Sequence, residues 1–162
     1  MTDKITVLLV DDHALVRRGF RRLLEDDPGI AVVGEGSNGD EAIRLTAELK
    51  PRVIVMDAAM PGTGGLEATR KIIAKHPKAA ILMLSMHSEE TLVRQALAAG
   101  ARGYVLKNAL DLDLAAAVRR VAAGEQVLDP AVVRPDPLPG ERNRRLTPRE
   151  LEVLQLICNG LS

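Results

Sequence analysis

Hydrophobic and polar positions alternate along this chain with two different periods. Short runs that are apolar or β-branched almost without a break occur at Ile5–Val10, Ile30–Glu35, Val53–Met56, Ala80–Leu84 and Gly103–Leu106. A strand that is apolar at nearly every position buries both faces, as strands do in a parallel sheet covered on each side. Between these runs lie longer stretches with apolar residues at helical spacing. They are Leu15, Val16, Gly19, Phe20, Leu23 and Leu24; Ala42, Ile43, Leu45 and Leu49; Leu66, Ile72 and Ile73; Leu92, Leu97 and Ala98; and Leu114, Val118 and Val121. Pro28-Gly29, Pro51, Pro77 and Gly100 punctuate the pattern where helices should end. Strand then helix, five times over, predicts a doubly wound α/β fold: a five-stranded parallel sheet with helices on both faces.

From Ala123 the pattern lapses. Prolines at 130, 135, 137 and 139 exclude regular helix and central strand, so residues 123–145 are expected to be a linker. It ends in the basic cluster Arg142, Arg144 and Arg145. Thr147, Pro148 and Glu150 then form a dense helix start, with a capping residue, a proline at the first helical position and a capping-box acid. Leu151, Leu154, Leu156 and Ile157 continue that helix to Gly160.

Composition narrows the function classes. The 162 residues carry 22 basic and 22 acidic side chains, so the overall field gives no reason to expect nucleic-acid or anionic-membrane binding. With Phe20 and Tyr104 the only aromatic residues, the core must be aliphatic. A single cysteine, Cys158, excludes an internal disulfide and a thiolate metal cluster and suits a reducing, cytoplasmic compartment. The apolar stretch at the start is too short for a signal peptide or a membrane span.

The polar residues that interrupt the strand ends carry the chemistry. Asp11 and Asp12 end the first predicted strand, Asp57 the third, Ser85 the fourth and Lys107 the fifth. In open α/β sheets, ligands collect at the carboxyl ends of strands near the switch point. With strand order 2-1-3-4-5 the first and third strands are neighbours, and three carboxylates converge on one crevice. Their repulsion calls for a hard divalent cation such as Mg²⁺, which binds one or two carboxylates and leaves room for phosphate oxygens. Lys107 adds a positive charge and Ser85 a hydroxyl, so the set has the parts of a phosphoryl-transfer site with Asp57 as nucleophile. Taken singly, each residue is more simply a helix cap, a turn residue or a surface charge. Their coincidence at successive strand ends is what points to a site.

Residues 7–19 (VLLVDDHALVRRG), 55–62 (VMDAAMPG), 82–87 (LMLSMH) and 100–107 (GARGYVLK) closely resemble the receiver domains of two-component response regulators, in the subfamily with a LuxR-type helix-turn-helix output. The resemblance covers residues 4–122 and implies a flavodoxin-like fold. It implies that Asp57 takes a phosphoryl group from a phosphohistidine on a histidine kinase. Asp12, Asp57 and the Ala59 carbonyl would touch Mg²⁺ directly, with Asp11 acting through water. Lys107 would hold the phosphoryl group, Ser85 would move to donate to it, and Tyr104 would turn inward behind Ser85. Residues 146–162 (LTPRELEVLQLICNGLS) look like the opening helix of the output domain, whose recognition and closing helices the sequence does not contain. The output domain is therefore expected to be truncated. Since the second helix of such a motif reads the bases, specific DNA binding is expected only of a full-length form. A second copy of the chain is a further expected partner, through the first and fifth helices or the fourth helix and fifth strand.

Three positions depart from the common receiver pattern. Ala59 is small where many relatives are polar, which should let water reach an acyl phosphate. Met86 is bulky after the switch hydroxyl and should narrow access to the site, and Asn108 replaces a proline. His13 and His87, at the crevice rim, are expected in loop or capping roles rather than as metal ligands. Gly62, Gly64 and Gly65 match no phosphate-binding fingerprint and suggest a flexible turn. A hydrolase with an aspartyl-phosphate intermediate would want an acid at position 59. A degenerate interaction module would not keep all five polar residues, and a flavin protein would want aromatic residues to stack on the ring. The expectation is a signalling module rather than a turnover enzyme.

Overall fold

Each strand of a sheet buried on both faces must send alternate side chains to opposite cores, and the chain does so. In the computed structural model, which describes residues 4–87, 89–107 and 113–128, the strands are β1 (Ile5–Val10), β2 (Ile30–Gly36), β3 (Val53–Asp57), β4 (Ala80–Ser85) and β5 (Gly103–Leu106). The helices between and after them are α1 (Ala14–Glu25), α2 (Gly39–Leu49), α3 (Gly65–Lys75), α4 (Glu90–Ala99) and α5 (Leu114–Ala122). Val7, Leu9, Val53, Val55, Leu82, Leu84 and Val105 face one core, which Phe20 and Leu24 of α1 and Leu114, Val118 and Val121 of α5 complete. Leu8, Val10, Ile54, Met56, Ile81, Met83 and Tyr104 face the other, closed by Ala42 of α2, Ile72 of α3 and Val93 of α4. Tyr104 and Phe20 are the only phenyl rings in the sequence, so both cores are built mainly from aliphatic side chains and methionines.

All strand pairings are parallel and the order is β2-β1-β3-β4-β5, as the alternation predicts, with one strand more. After α5 the chain turns at Gly124, whose φ of +92° favours a residue without a Cβ. It comes back along the sheet edge as β6 (Val127–Leu128), parallel to β5, with Val127 opposite Gly103 and Leu128 opposite Tyr104. The expected five-stranded sheet is thus six-stranded, and its last strand falls within residues assigned to the linker. Burial explains it: Val127 is 5% exposed and sits in the core with Val105 and Val121. The rest of the linker, the helix expected within 146–162 and Asn108 lie outside the described residues.

The helical spacing on α1 overstates its buried face. Phe20 and Leu24 are buried, but Leu15 is 80% and Leu23 50% exposed, and Val16 is also on the surface. Only Phe20 and Leu24, one turn apart, are buried on this twelve-residue helix, and Leu15, Val16 and Leu23 face outward. No helix among the described residues is long and apolar enough to cross a membrane.

Replacing Val127 by Asp should put an unpaired charge between β5, β6 and α5. We expect a stability loss of about 2–4 kcal/mol, counting lost apolar burial and charge desolvation, read as a lowered Tm by calorimetry. An unchanged Tm would mean that β6 does not close the sheet edge.

Candidate functional site

Backbone hydrogen bonds extend the sheet past its strand ends and set the polar residues in a row. The Asp11 N–H bonds to the Gly36 carbonyl (3.0 Å), Ala58 N–H to Leu84 (2.8 Å) and Lys107 N–H to Ser85 (2.8 Å). Asp11, Asp57 and Ser85 are all buried, at 0%, 3% and 2% exposure. Arg17 of α1 braces the first loop: its Nη1 donates to the Asp11 carbonyl (2.6 Å) while its Nε donates to Glu35 at the end of β2 (2.8 Å). Burial pushes Glu35 up, but the hydrogen bonds from Arg21 and Arg17 outweigh it and hold the carboxyl below its usual range.

The sequence-predicted acids and amine do come together. Lys107 Nζ lies 2.7 Å from Asp11 Oδ2 and 3.3 Å from Asp57 Oδ2, so one ammonium bridges two buried carboxylates. Burial alone would lower the lysine's pKa. The hydrogen bond to Asp11 and the charges of Asp57 and Asp11 reverse that and raise it. For Asp57 the balance falls the other way. Burial, reinforced by the Asp11 charge, raises its pKa against the opposing Ala59 N–H and Lys107. Asp57 Oδ1 accepts that Ala59 N–H at 3.1 Å, a contact that the sequence does not announce. Ala59 itself is exposed.

One lysine cannot neutralise three acids. Ligand atoms of Asp11, Asp12, His13 and Asp57 all lie within 4.8 Å of one another, and Asp12 Oδ1 is buried without a hydrogen-bond partner. This orphaned oxygen beside two further carboxylates fits a divalent cation, which would satisfy it and cancel the excess charge.

Ser85 and Tyr104 meet at a shared neighbour. The Ser85 Oγ accepts the His87 N–H (3.0 Å), and the Tyr104 hydroxyl donates to the His87 carbonyl (2.6 Å). The Tyr104 ring is 1% exposed and already lies inward, and burial pushes its phenol up. A largely apolar pocket lined by Ala58, Ser85, His87, Leu92 and Tyr104 opens beside it. Met86 is 58% exposed and is not among the residues that line this pocket. His13 occupies the N-cap position of α1, but its side chain makes no capping hydrogen bond. His87 contributes its backbone.

The glycines after Asp57 do more than turn the chain. A Cβ on Gly65 would overlap the Asp57 carbonyl oxygen, so α3 reaches the strand end only because its first residue has no side chain. Gly65→Ala should therefore displace the Asp57 loop and cost about 1–3 kcal/mol, measured by chemical denaturation. Asp57→Asn should do the opposite. An acid whose folded pKa is raised loses stability as pH climbs from its unfolded pKa through its folded one. The variant should therefore melt above the parent at neutral pH and converge with it below about pH 4. A variant that melts lower at neutral pH would show that Lys107 more than repays the burial of Asp57.

Comparison with known proteins agrees with this geometry. The family model described as the response regulator receiver domain matches residues 7–119. The response regulator GacA of Pseudomonas viridiflava is 42% identical over 130 residues, 80% of this chain and 61% of that protein. The response regulator UvrY of Escherichia coli K12 is 40% identical over 163 aligned positions, 96% of this chain and 75% of that protein. The chain thus spans about three-fifths to three-quarters of these relatives. Among solved structures, a LuxR-family two-component response regulator from Aurantimonas sp. SI85-9A1 superposes with a TM-score of 0.78 at 36% identity, over 95% of this chain and 99% of that one. A receiver-family match from β1 into α5, and relatives this similar, agree with the acidic crevice: the chain belongs to the response regulator receiver domain family.

Proposed function

We propose that the chain is a phosphoryl-accepting switch. Asp57 takes a phosphoryl group from the phosphohistidine of a histidine kinase, with Mg²⁺ held by Asp11, Asp12, Asp57 and the Ala59 carbonyl. The observation that carries this reading is the single ammonium of Lys107 bridging Asp11 and Asp57 beside an orphaned Asp12 oxygen. An Asp57 oxygen forms the new O–P bond as the donor's N–P bond breaks, and the electron pair stays on the departing imidazole. Bound Mg²⁺ would offset charge on the phosphoryl oxygens. Lys107, free to leave Asp57, follows the charge onto the new phosphate while keeping Asp11. Ser85 already accepts from His87, which leaves its O–H to donate to a phosphoryl oxygen.

That donation moves the loop after β4, where Tyr104 is also tied through His87. Phosphorylation then shifts a population between two loop arrangements rather than creating a shape. Exposed Leu15 and Met86, both just past strand carboxyl ends, offer apolar contacts to a docking kinase. Exposed Ala59 leaves the acyl phosphate open to water, so the phospho-form should be short-lived. The role is cytoplasmic signalling rather than turnover; a second copy of the chain is a partner through the receiver, and LuxR-type DNA binding belongs to a full-length form.

Incubation with Mg²⁺ and a small acyl-phosphate donor, followed by intact mass, should add one phosphoryl group. The gain should vanish in Asp57→Asn or on chelation. Lys107→Ala should slow it by about 10²-fold, the usual cost of losing one charge-stabilising donor. Undiminished labelling of Asp57→Asn would overturn the assignment.

A further inference from the structure

His13 stands beside the acids without the capping role its position suggests. Its backbone is fixed: the N–H donates to Asp11 Oδ1 (2.9 Å) and the carbonyl accepts from Arg17 (2.9 Å). Its ring does not cap the helix. Instead Nδ1 lies 3.1 Å from Asp12 Oδ1 and 3.7 Å from Asp11 Oδ1. The nearer approach lacks hydrogen-bond geometry and is an ion pair only when the imidazole is protonated. With a neutral imidazole, a ring nitrogen and a carboxylate oxygen at this separation stand as two adjacent ligands of one cation, about 3.0 Å apart for bonds of about 2.1 Å.

The spacing supports this. One ligand atom each from Asp11, Asp12, His13 and Asp57 fits within 4.8 Å. Opposite ligands of a cation with bonds of about 2.1 Å stand about 4.2 Å apart, so small side-chain rotations close the gap. His13 is 69% exposed at the side chain, and its ring can make that adjustment freely.

We propose that His13 is a ligand of the cation site and biases it toward first-row transition dications over Mg²⁺. The proposal rests on the reading above that the acidic cluster holds a divalent cation. Mg²⁺ prefers oxygen donors and keeps its waters. An imidazole in place of one water favours Mn²⁺ modestly and Co²⁺ more strongly, in the order of intrinsic affinity for nitrogen ligands. The kinase reaction proposed for Asp57 would then run with whichever dication the cell supplies at the higher occupancy.

The test uses the untagged 162-residue chain and its His13→Ala and His13→Asn variants, titrated calorimetrically with Mg²⁺, Mn²⁺ and Co²⁺. Bound Mn²⁺ is examined by electron spin-echo spectroscopy, with Mg²⁺ competition to show that the metals share one site. The expected result is nitrogen modulation from a directly bound imidazole in the parent chain, absent from both variants. The Co²⁺-to-Mg²⁺ affinity ratio should fall about tenfold or more in both variants. Binding of all three metals with no nitrogen modulation and an unchanged ratio would remove His13 from the ligand set and leave the acidic site standing. Failure of the parent to bind any of the three would instead bring down the cation site itself, and this proposal with it.

Discussion

The structure depends on holding like charges together. Two carboxylates about 4 Å apart repel by about 4 kcal/mol at an effective dielectric of 20. This fold buries two of its three acids at neighbouring strand ends. Nothing flexible could hold such a group. The strands that end in Asp11 and Asp57 are central, parallel and packed on both faces, so the backbone cannot splay to relieve the strain. Lys107 relieves part of it, while burial, with a smaller contribution from the Asp11 charge, keeps the Asp57 pKa raised. In the proposed switch, that surplus of negative charge would favour a bound cation, and the cation together with Lys107 would then receive the phosphoryl group.

In the proposed switch, transmission out of the crevice would run through the short segment after β4. His87 uses its N–H for Ser85 and its carbonyl for Tyr104, so the two side chains cannot respond independently. Tyr104 is in turn backed by β6, because Leu128 pairs with it across the sheet edge and packs against the same core. In the proposed switch, a change at Ser85 would be felt at the strand that leads toward the output segment.

Much of this was legible in the sequence because the fold states itself in periodicity. The five unbroken apolar runs became five strands in the expected order, and polar residues placed just past their ends were bound to share one edge. Asp11, Asp12, Asp57 and Lys107 meet for that reason. What stayed hidden depends on distance rather than pattern. Two residues, Val127 and Leu128, are too short a run to distinguish a strand from a linker. The outward turn of Leu15 and Leu23 reflects how narrow a stripe the sheet covers, which helical spacing does not reveal. Gly65 looks like any loop glycine until the Asp57 carbonyl is placed against it. The resemblance to receivers implied that Tyr104 would turn inward, but no sequence pattern shows that its ring already lies there, bonded to His87.

The central claim is that Asp57 itself becomes the acyl phosphate. Borohydride reduces an acyl phosphate to an alcohol, so treating the phosphorylated chain should convert one aspartate to homoserine, located by peptide mass mapping. The account predicts that residue to be Asp57, in a Mg²⁺-dependent reaction. Homoserine at Asp11 or Asp12, or phosphate retained on a histidine with no reduced aspartate, would contradict it.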